Sequence, residues 1–192
     1  MVSFEQDIEN ATRVLMDGGI ILYPTDTVWG IGCDARCSDA VRRIYELKRR
    51  SDSKAMISLV ADFEMLAHYV GSKGVDAYKK VSVQFPKPVT LIFPTVAEVC
   101  SDLLAENGSC GIRVTNERYS GALCRHIGGA LVSTSANVSG EPTPRFFSDI
   151  SPYICDGVDY VASYRRDDSV GHESSAVVLL DPVNNDLKVL RK

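Results

Sequence analysis

The sequence predicts an α/β protein in which short buried strands alternate with amphipathic helices, giving a mixed sheet. Two observations indicate this class. Apolar runs of strand length, such as Ile20 to Tyr23 and Val89 to Phe93, recur along the 192 residues. Between them lie stretches with apolar side chains three and four residues apart, the spacing of a helix with one buried face.

The first helix is predicted to begin after Ser3. Ser3 is a favourable N-cap, and Gln6 stands three residues later, as in a capping box. Apolar residues recur at helical spacing from Phe4 to Leu15, and Gly18-Gly19 is expected to end the helix.

The same alternation continues along the chain. Ser38 or Asp39 is expected to cap a second helix that runs into a basic stretch, and residues 140–157 are expected to form a surface loop or hinge. Further helices are predicted at 62–70, 74–84 and 119–127, and further strands at Met56 to Val60, Gly111 to Val114, Ala130 to Ser133, Ala176 to Leu180 and Leu187 to Leu190.

Composition favours a globular cytoplasmic protein. Hydrophobic residues make up 45% of the chain and charged residues 24%, which allows a sizeable core. The sequence has no apolar run of about 20 residues and no recognisable signal peptide. Its six cysteines include no C-x-x-C pair, so we expect reduced, mostly buried thiols and no zinc site.

The charge is unevenly distributed. A net charge of −4 argues against bulk electrostatic binding of nucleic acid. Residues 42–54 nevertheless carry several cations, which could be a solvated helix face or a phosphate site. Arginine can grip two phosphate oxygens while lysine acts as a point charge. The sequence contains no G-x-x-x-x-G-K-[ST] pattern, so a nucleotide site here is not a P-loop.

Three other polar segments are candidates for ligand binding. Residues 23–35 follow a buried strand, where a sheet can open into a ligand crevice. Their Gly30-x-Gly32 fits a dinucleotide fingerprint only superficially, because six residues separate it from the strand. Residues 133–144 are either a Ser/Thr-rich cap or a nest of donors around phosphate or carboxylate. Residues 171–178 read only as a loop entering a strand.

Together these segments resemble the YrdC family of threonylcarbamoyl-AMP synthases, of the TsaC type. That family carries P-T-D-T-[VY]-[YW]-G-[IL]-G, then K-x-R and a Lys, an Arg ending a strand, S-A-N-x-S-G, E-S-T and L-R. Order and spacing match across nearly the whole chain. The matching residues are Pro24 to Gly32, Lys48-Arg49-Arg50 with Lys54, Arg113, Ser135 to Gly140, Glu173-Ser174-Ser175 and Leu190-Arg191.

The chain departs from the family pattern at four places. Lys87 stands where the family has Gly between two prolines, and Ser51 replaces a Pro in a loop that continues Lys-Ala-Met instead of Lys-Pro-Leu. Leu59 replaces a His, which puts one expected threonine contact in doubt. Ser175 replaces the Thr of E-S-T.

The resemblance implies a nucleotidyltransferase that condenses L-threonine, bicarbonate and ATP to threonylcarbamoyl-AMP and pyrophosphate, for N6-threonylcarbamoyladenosine in tRNA. It implies a twisted mixed sheet flanked by helices around a large open cavity, as a single domain over residues 1–192. Mg²⁺ is expected with the substrate phosphates, with no metal ligand from the protein alone. The implied ATP-binding residues are Lys48, Arg50, Lys54, Ser135, Asn137, Thr143 and Arg191; the implied L-threonine-binding residues are Thr27, Arg113, Ser133 and Ser174.

No side-chain nucleophile is expected, and charge stabilisation would fall to Lys48 and Arg50. The implied partners are a downstream threonylcarbamoyl transferase complex and tRNA, with a possible tRNA contact through residues 42–54, and no membrane. Two alternatives stay open: a YciO-like paralogue, whose branch lacks intact K-x-R and S-A-N-x-S-G, and an RNA-binding module of the same fold without this activity.

Overall fold

The computed structural model describes residues 2–49, 56–171, 173–181 and 187–191. The helices in these ranges are α1 (Phe4–Met16), α2 (Ser38–Leu47), α3 (Phe63–Ser82), α4 (Arg118–Ile127) and α5 (Pro152–Asp156). The strands are β1 (Ile21–Tyr23), β2 (Gly30–Gly32), β3 (Ile57–Val60), β4 (Val89–Phe93), β5 (Cys110–Val114), β6 (Leu131–Ser135), β7 (Tyr160–Val161), β8 (Ala176–Leu180) and β9 (Leu187–Arg191).

These strands form one sheet in the order β7-β1-β2-β6-β3-β5-β4-β8-β9. The pairs β1–β7, β3–β5 and β4–β8 are parallel, and the other neighbours are antiparallel. The predicted α/β class with a mixed sheet flanked by helices is confirmed. Its interior is a cluster of buried side chains contributed by both the strands and the helices, as layered α/β packing requires.

The start of α1 agrees only in part with the capping box. Ser3 Oγ accepts a hydrogen bond from the Gln6 backbone N–H at 3.1 Å, as predicted. The Gln6 side chain instead donates to Asn10 Oδ1, 3.3 Å away. The reciprocal bond to the Ser3 backbone, which a capping box requires, is therefore replaced by a contact along the helix surface.

The cap of α2 was predicted wrongly. The N-cap is Cys37, which makes no side-chain capping bond, and Ser38 is already the first helical residue. The Cys37 backbone N–H instead donates to the Asp34 carbonyl at 3.0 Å. A turn preceding the helix thus sets its start.

Two helices were predicted across residues 62–84, and a break between them is confirmed. Gly71 interrupts α3 with φ 68° and ψ 176°. Glycine adopts this positive φ without the conformational cost that a residue with a Cβ would carry. The chain therefore changes direction here without a loop.

Residues 140–157 are not only a loop. Pro152–Asp156 form α5, where Ser151 Oγ accepts the Tyr153 N–H at 3.3 Å and Pro152 occupies the first turn, as proline prefers. Neither α5 nor β2 and β7 was predicted, because elements this short show no periodicity. No helix in the described ranges is both long enough and apolar enough to cross a bilayer.

Candidate active site

A cavity of about 420 Å³ lies against the sheet. Its walls come from β2, β3, β4, β5, β6, β8 and β9, together with the loop between β1 and β2 and the loop that follows β6. Met56, Ile57, Ile92 and Val177 make part of the wall apolar. A cleft with apolar walls and a few convergent polar groups is the usual form of a small-molecule site.

The cavity brings together most of the site residues predicted from sequence. Lys48 and Asn137 are not part of the lining, and Arg50 and Lys54 fall outside the described residues. The predicted residues that line the cavity are Thr27, Arg113, Ser133, Ser135, Thr143, Ser174 and Arg191.

Arg113, on β5, is buried beside the loop that follows β1. Its Nη2 donates to Thr27 Oγ1 at 3.2 Å and lies 2.9 Å from Asp26 Oδ1. Its side chain is 3% exposed and that of Asp26 9% exposed, so the pair is shielded from water. Within the described chain, Arg113 Nε has no hydrogen-bond partner. Asp26 thus balances the charge of the guanidinium, and Arg113 is also among the residues that line the cavity.

Arg191, at the end of β9, is held by Ser175. Its Nε donates to the Ser175 carbonyl at 3.0 Å, and its Nη2 lies 3.4 Å from Ser175 Oγ. That hydroxyl also shares a hydrogen bond with Thr90 Oγ1 at 2.9 Å. Burial, and to a lesser degree the positive charge of Arg113, lowers the pKa of Arg191. The family threonine is replaced here by serine, and the hydroxyl that orients Arg191 is kept.

The charge of the lining favours an anion. Arg113 and Arg191 line the cavity, and no Asp or Glu is among the lining residues that the structure describes. Hydroxyl groups of threonines and serines make up most of the remaining polar lining. Two positive charges in a cleft that is partly shielded from water attract and orient phosphate or carboxylate groups.

Lys48 and Asn137 shape the loop after β6 from behind the cavity. Lys48 Nζ donates to the carbonyl oxygens of Ser135 and Asn137. Asn137 Nδ2 donates to the Glu141 carbonyl at 2.8 Å, and its buried Oδ1 has no hydrogen-bond partner in the described part of the chain.

Two cations of the basic stretch, Arg42 and Arg43, are paired with carboxylates. Arg42 contacts Asp39 and lies 3.5 Å from Asp102, and Arg43 lies 2.8 Å from Asp159. The Asp159 hydrogen bond raises the pKa of Arg43. Arg42 and Arg43 are therefore not free phosphate contacts, and the tRNA contact through residues 42–54 stays a prediction.

Two departures from the family pattern have structural explanations. Leu59 is fully buried on β3 and does not line the cavity, so this position serves the core. Lys87 Nζ lies 3.4 Å from Glu173 Oε2. That ion pair joins the turn before β4 to the loop before β8.

Sequence reasoning missed one wall of the cavity. Ala105, Ser109, Cys110 and Gly111 line it, yet small residues at a strand entrance carry no motif. The sequence analysis also assigned no role to Asp26. A carboxylate inside a hydroxyl-rich segment could have suggested a buried ion pair.

The cysteines are free, and burial raises the pKa of Cys110 to about 11 and of Cys124 to about 12. Thiols with raised pKa values are poor nucleophiles at neutral pH. In the described ranges, no three His, Cys, Asp or Glu side chains are grouped so as to hold a metal ion. The side chains that line the cavity are therefore suited to binding a ligand, and the described residues offer neither an activated thiol nor a metal site.

Several known proteins are similar to this chain in sequence or in fold. A threonylcarbamoyl-AMP synthase of Idiomarina loihiensis is 36% identical over 181 residues, covering 93% of this chain and 95% of that protein. The structure of P. abyssi Sua5 complexed with L-threonine superposes with a TM-score of 0.82 at 22% identity, covering 100% of this chain and 55% of that longer one. E. coli YciO superposes with a TM-score of 0.80 at 24% identity, covering 96% of this chain and 88% of that one.

The Sua5 and YciO structures establish the shared fold. The sequence model of the Sua5/yciO/yrdC family, described as "Telomere recombination", matches residues 13–192. The chain therefore belongs to the Sua5/yciO/yrdC family.

Proposed function

We propose that this protein is a threonylcarbamoyl-AMP synthase, an enzyme that transfers an adenylyl group from ATP to a carbamate of L-threonine. The observation that carries the proposal is the cavity, where two arginines and several hydroxyl groups meet in a chain 36% identical to a protein of that name. In reaction terms the enzyme is a nucleotidyltransferase that releases pyrophosphate.

L-Threonine is assigned to the end of the cavity at Arg113. The guanidinium lines the cavity and would bind the substrate carboxylate. Thr27, Ser133 and Ser174 also line the cavity and would hold the remaining polar groups of threonine.

ATP is assigned to Ser135, Thr143 and Arg191 of the lining, together with Asn137, which lies in the loop after Ser135 and outside the lining. Arg191 supplies a positive charge for the phosphates. Its guanidinium is held in place by the carbonyl and hydroxyl of Ser175, which are neutral and leave that charge uncompensated. Arg50 and Lys54 remain the cations predicted for the triphosphate, whereas Lys48 does not line the cavity.

The chemistry needs no side-chain nucleophile. The threonine amine takes up bicarbonate with loss of water, giving a carbamate. A carbamate oxygen then bonds to the α-phosphorus of ATP while the bond to pyrophosphate breaks. Positioning and charge stabilisation supply most of the catalysis in phosphoryl-type transfer. A cavity that limits water access would protect the carbamate.

Mg²⁺ would enter as part of the nucleotide substrate. Mg²⁺ prefers carboxylate and phosphate oxygens, and the described lining offers hydroxyl and guanidinium groups without a carboxylate. The phosphates and water would therefore supply its ligands.

The direct test is pyrophosphate release from ATP and Mg²⁺, with threonine and bicarbonate added together or singly. Release that requires both co-substrates supports the proposal. Release without threonine would point to another carbamoyl-adenylate chemistry. ATP binding with no release would favour a YciO-like paralogue, and absence of ATP binding with salt-sensitive RNA binding would favour an RNA-binding module.

We further propose that the enzyme acts in the cytoplasm as a single domain over residues 1–192. Its product is an activated acyl-adenylate that water would hydrolyse, so the threonylcarbamoyl group must be passed on promptly.

We propose that a separate transferase complex passes this group to tRNA. Direct tRNA contact through residues 42–54 is part of the same proposal.

A further inference from the structure

The side chain of Lys48 points into the protein. Lys48 is the C-cap of α2 and is only 2% exposed. Lysine is almost never buried so completely unless its ammonium is paired. Nζ donates to the carbonyl oxygens of Ser135 and Asn137, at 2.6 Å for Asn137. The ammonium therefore meets the backbone of the loop that follows β6.

Backbone hydrogen bonds complete this contact. The Ser139 N–H donates to the Lys48 carbonyl at 2.9 Å, and the Ala136 N–H donates to the Trp29 carbonyl at 3.0 Å. The segment 135–139 is thus tied to the end of α2 through both its carbonyl and its amide groups.

This segment reaches the cavity through Ser135. Ser135 lines the cavity, and the chain continues from the segment to Thr143, which also lines it. Backbone carbonyls shielded from water need donors. An ammonium has three donors and makes charge-assisted bonds, which are stronger than neutral ones. Removing it would leave the Ser135 and Asn137 carbonyls without this donor and free the loop to change shape.

We propose that Lys48 is a positioning residue for the nucleotide site. Its ammonium fixes segment 135–139 in the shape that presents Ser135 to the ligand, in place of the direct phosphate contact implied by the family resemblance. The identity of the ligand rests on the proposed function, whereas the effect on the loop does not.

Lys48→Met keeps the length of the side chain and removes its donors. Without ligand, we expect the amides of Ala136 and Ser139 to exchange hydrogen about tenfold faster or more, since bonds to a charged group are lost. Affinities for ATP and AMP, measured by calorimetry, should fall by the same factor, leaving their ratio unchanged within about twofold. Lys80→Met, at an exposed position on α3, is the matched control and should change neither.

A direct phosphate contact predicts a different pattern. ATP affinity would then fall at least about tenfold more than AMP affinity, and that result overturns the proposal whatever the exchange rates. Unchanged exchange at Ala136 and Ser139 in the free protein also overturns it. If Lys48→Met does not fold, Lys48→Gln gives the same comparison, because it also removes the charge while keeping a polar side chain.

The two proposals fail in distinguishable ways. If the wild-type protein binds neither nucleotide, the proposed function is wrong, and hydrogen exchange still decides the role of Lys48. If the wild-type protein makes threonylcarbamoyl-AMP while Lys48→Met selectively loses ATP affinity, only the positioning role is wrong.

Discussion

Arg113 and Asp26 show how one buried ion pair can serve both binding and stability. Their contact at 2.9 Å lies among side chains that are almost fully shielded from water. A buried charge is expensive when it loses its partner, whereas a pair removed together costs much less. The same guanidinium lines the cavity, so its two roles can be separated by mutation.

We predict that Arg113→Gln lowers the free energy of unfolding by about 3 kcal/mol, because Asp26 is left charged and unpaired. The same variant should raise the KM for L-threonine by about 10- to 100-fold, the worth of a charged hydrogen bond, with a smaller effect on the KM for ATP. Urea denaturation and steady-state kinetics measure the two effects.

The double variant Arg113→Gln/Asp26→Asn is the control. It should recover most of the stability but none of the threonine affinity. Recovery of both would show that Arg113 supports the fold without touching the substrate.

At the scale of elements, Gly71 determines the path of α3. Its φ of 68° lies in the left-handed region, and a Cβ built on it meets no atom within 4 Å. The cost of a side chain here is therefore conformational and not a clash.

Gly71→Ala should destabilise the protein by about 1 kcal/mol. Gly71→Asn should cost about as much, because asparagine tolerates positive φ with ψ of about +50° and not with ψ 176°. Urea midpoints of the two variants measure these costs. Equal stability of Gly71→Ala and the wild type would mean that the break in α3 relaxes into a continuous helix.

A second element-scale contact ties α2 to β1 through Asp159. Its carboxylate accepts from Arg43 at 2.8 Å and from the Ile20 N–H at 2.8 Å. The hydrogen bond from Arg43 lowers the pKa of Asp159 below its ordinary 3.8. Burial opposes this shift, and the Ile20 N–H and the positive charge of Arg43 add smaller lowering effects. A carboxylate with a lowered folded pKa stabilises above its unfolded pKa, and this contribution is lost as pH falls through the folded value.

We therefore predict that Asp159→Asn destabilises the protein at about pH 7 and that the difference shrinks as the pH falls below the ordinary carboxyl value of 3.8 and through the lower folded pKa. Urea midpoints of both proteins across this range give the measurement, with Asp167→Asn, at an exposed position, as the control. If the stability difference between the two proteins stays the same in acid, the effect of the substitution comes from altered packing or hydrogen bonding and not from the carboxylate charge.

At the scale of the whole molecule, one sheet runs through β1 to β9, and the cavity draws residues from seven of these strands. Binding residues from Thr27 to Arg191 depend on that sheet for their relative positions. We expect folding and assembly of the site to occur together.

Trp29, the single tryptophan of the sequence, lines the cavity and is buried. We predict that its fluorescence and the far-ultraviolet circular dichroism report one coincident urea transition, as for a two-state domain. A fluorescence change at lower urea than the loss of helix would show that the cavity opens before the sheet unfolds, and would contradict the single-domain proposal.

The sequence by itself determined the α/β class, most long elements and the list of polar segments. Periodicity and caps are local, so α1, α4 and the main strands could be read directly. Thr27, Arg113, Ser133 and Ser135 were identified as candidates by a family resemblance, since their individual residue types carry no unique chemistry.

Only the tertiary structure decided which of these side chains meet and how they are oriented. The Asp26–Arg113 pair, the Ser175–Arg191 contact and the inward-pointing Lys48 join residues about 16 to 89 positions apart, as long-range packing does. The short β2, β7 and α5 are stabilised by neighbours and not by their own propensity, which explains why local pattern missed them. Sequence pattern thus selects the groups available to the site, while packing against the sheet fixes the direction in which each one acts.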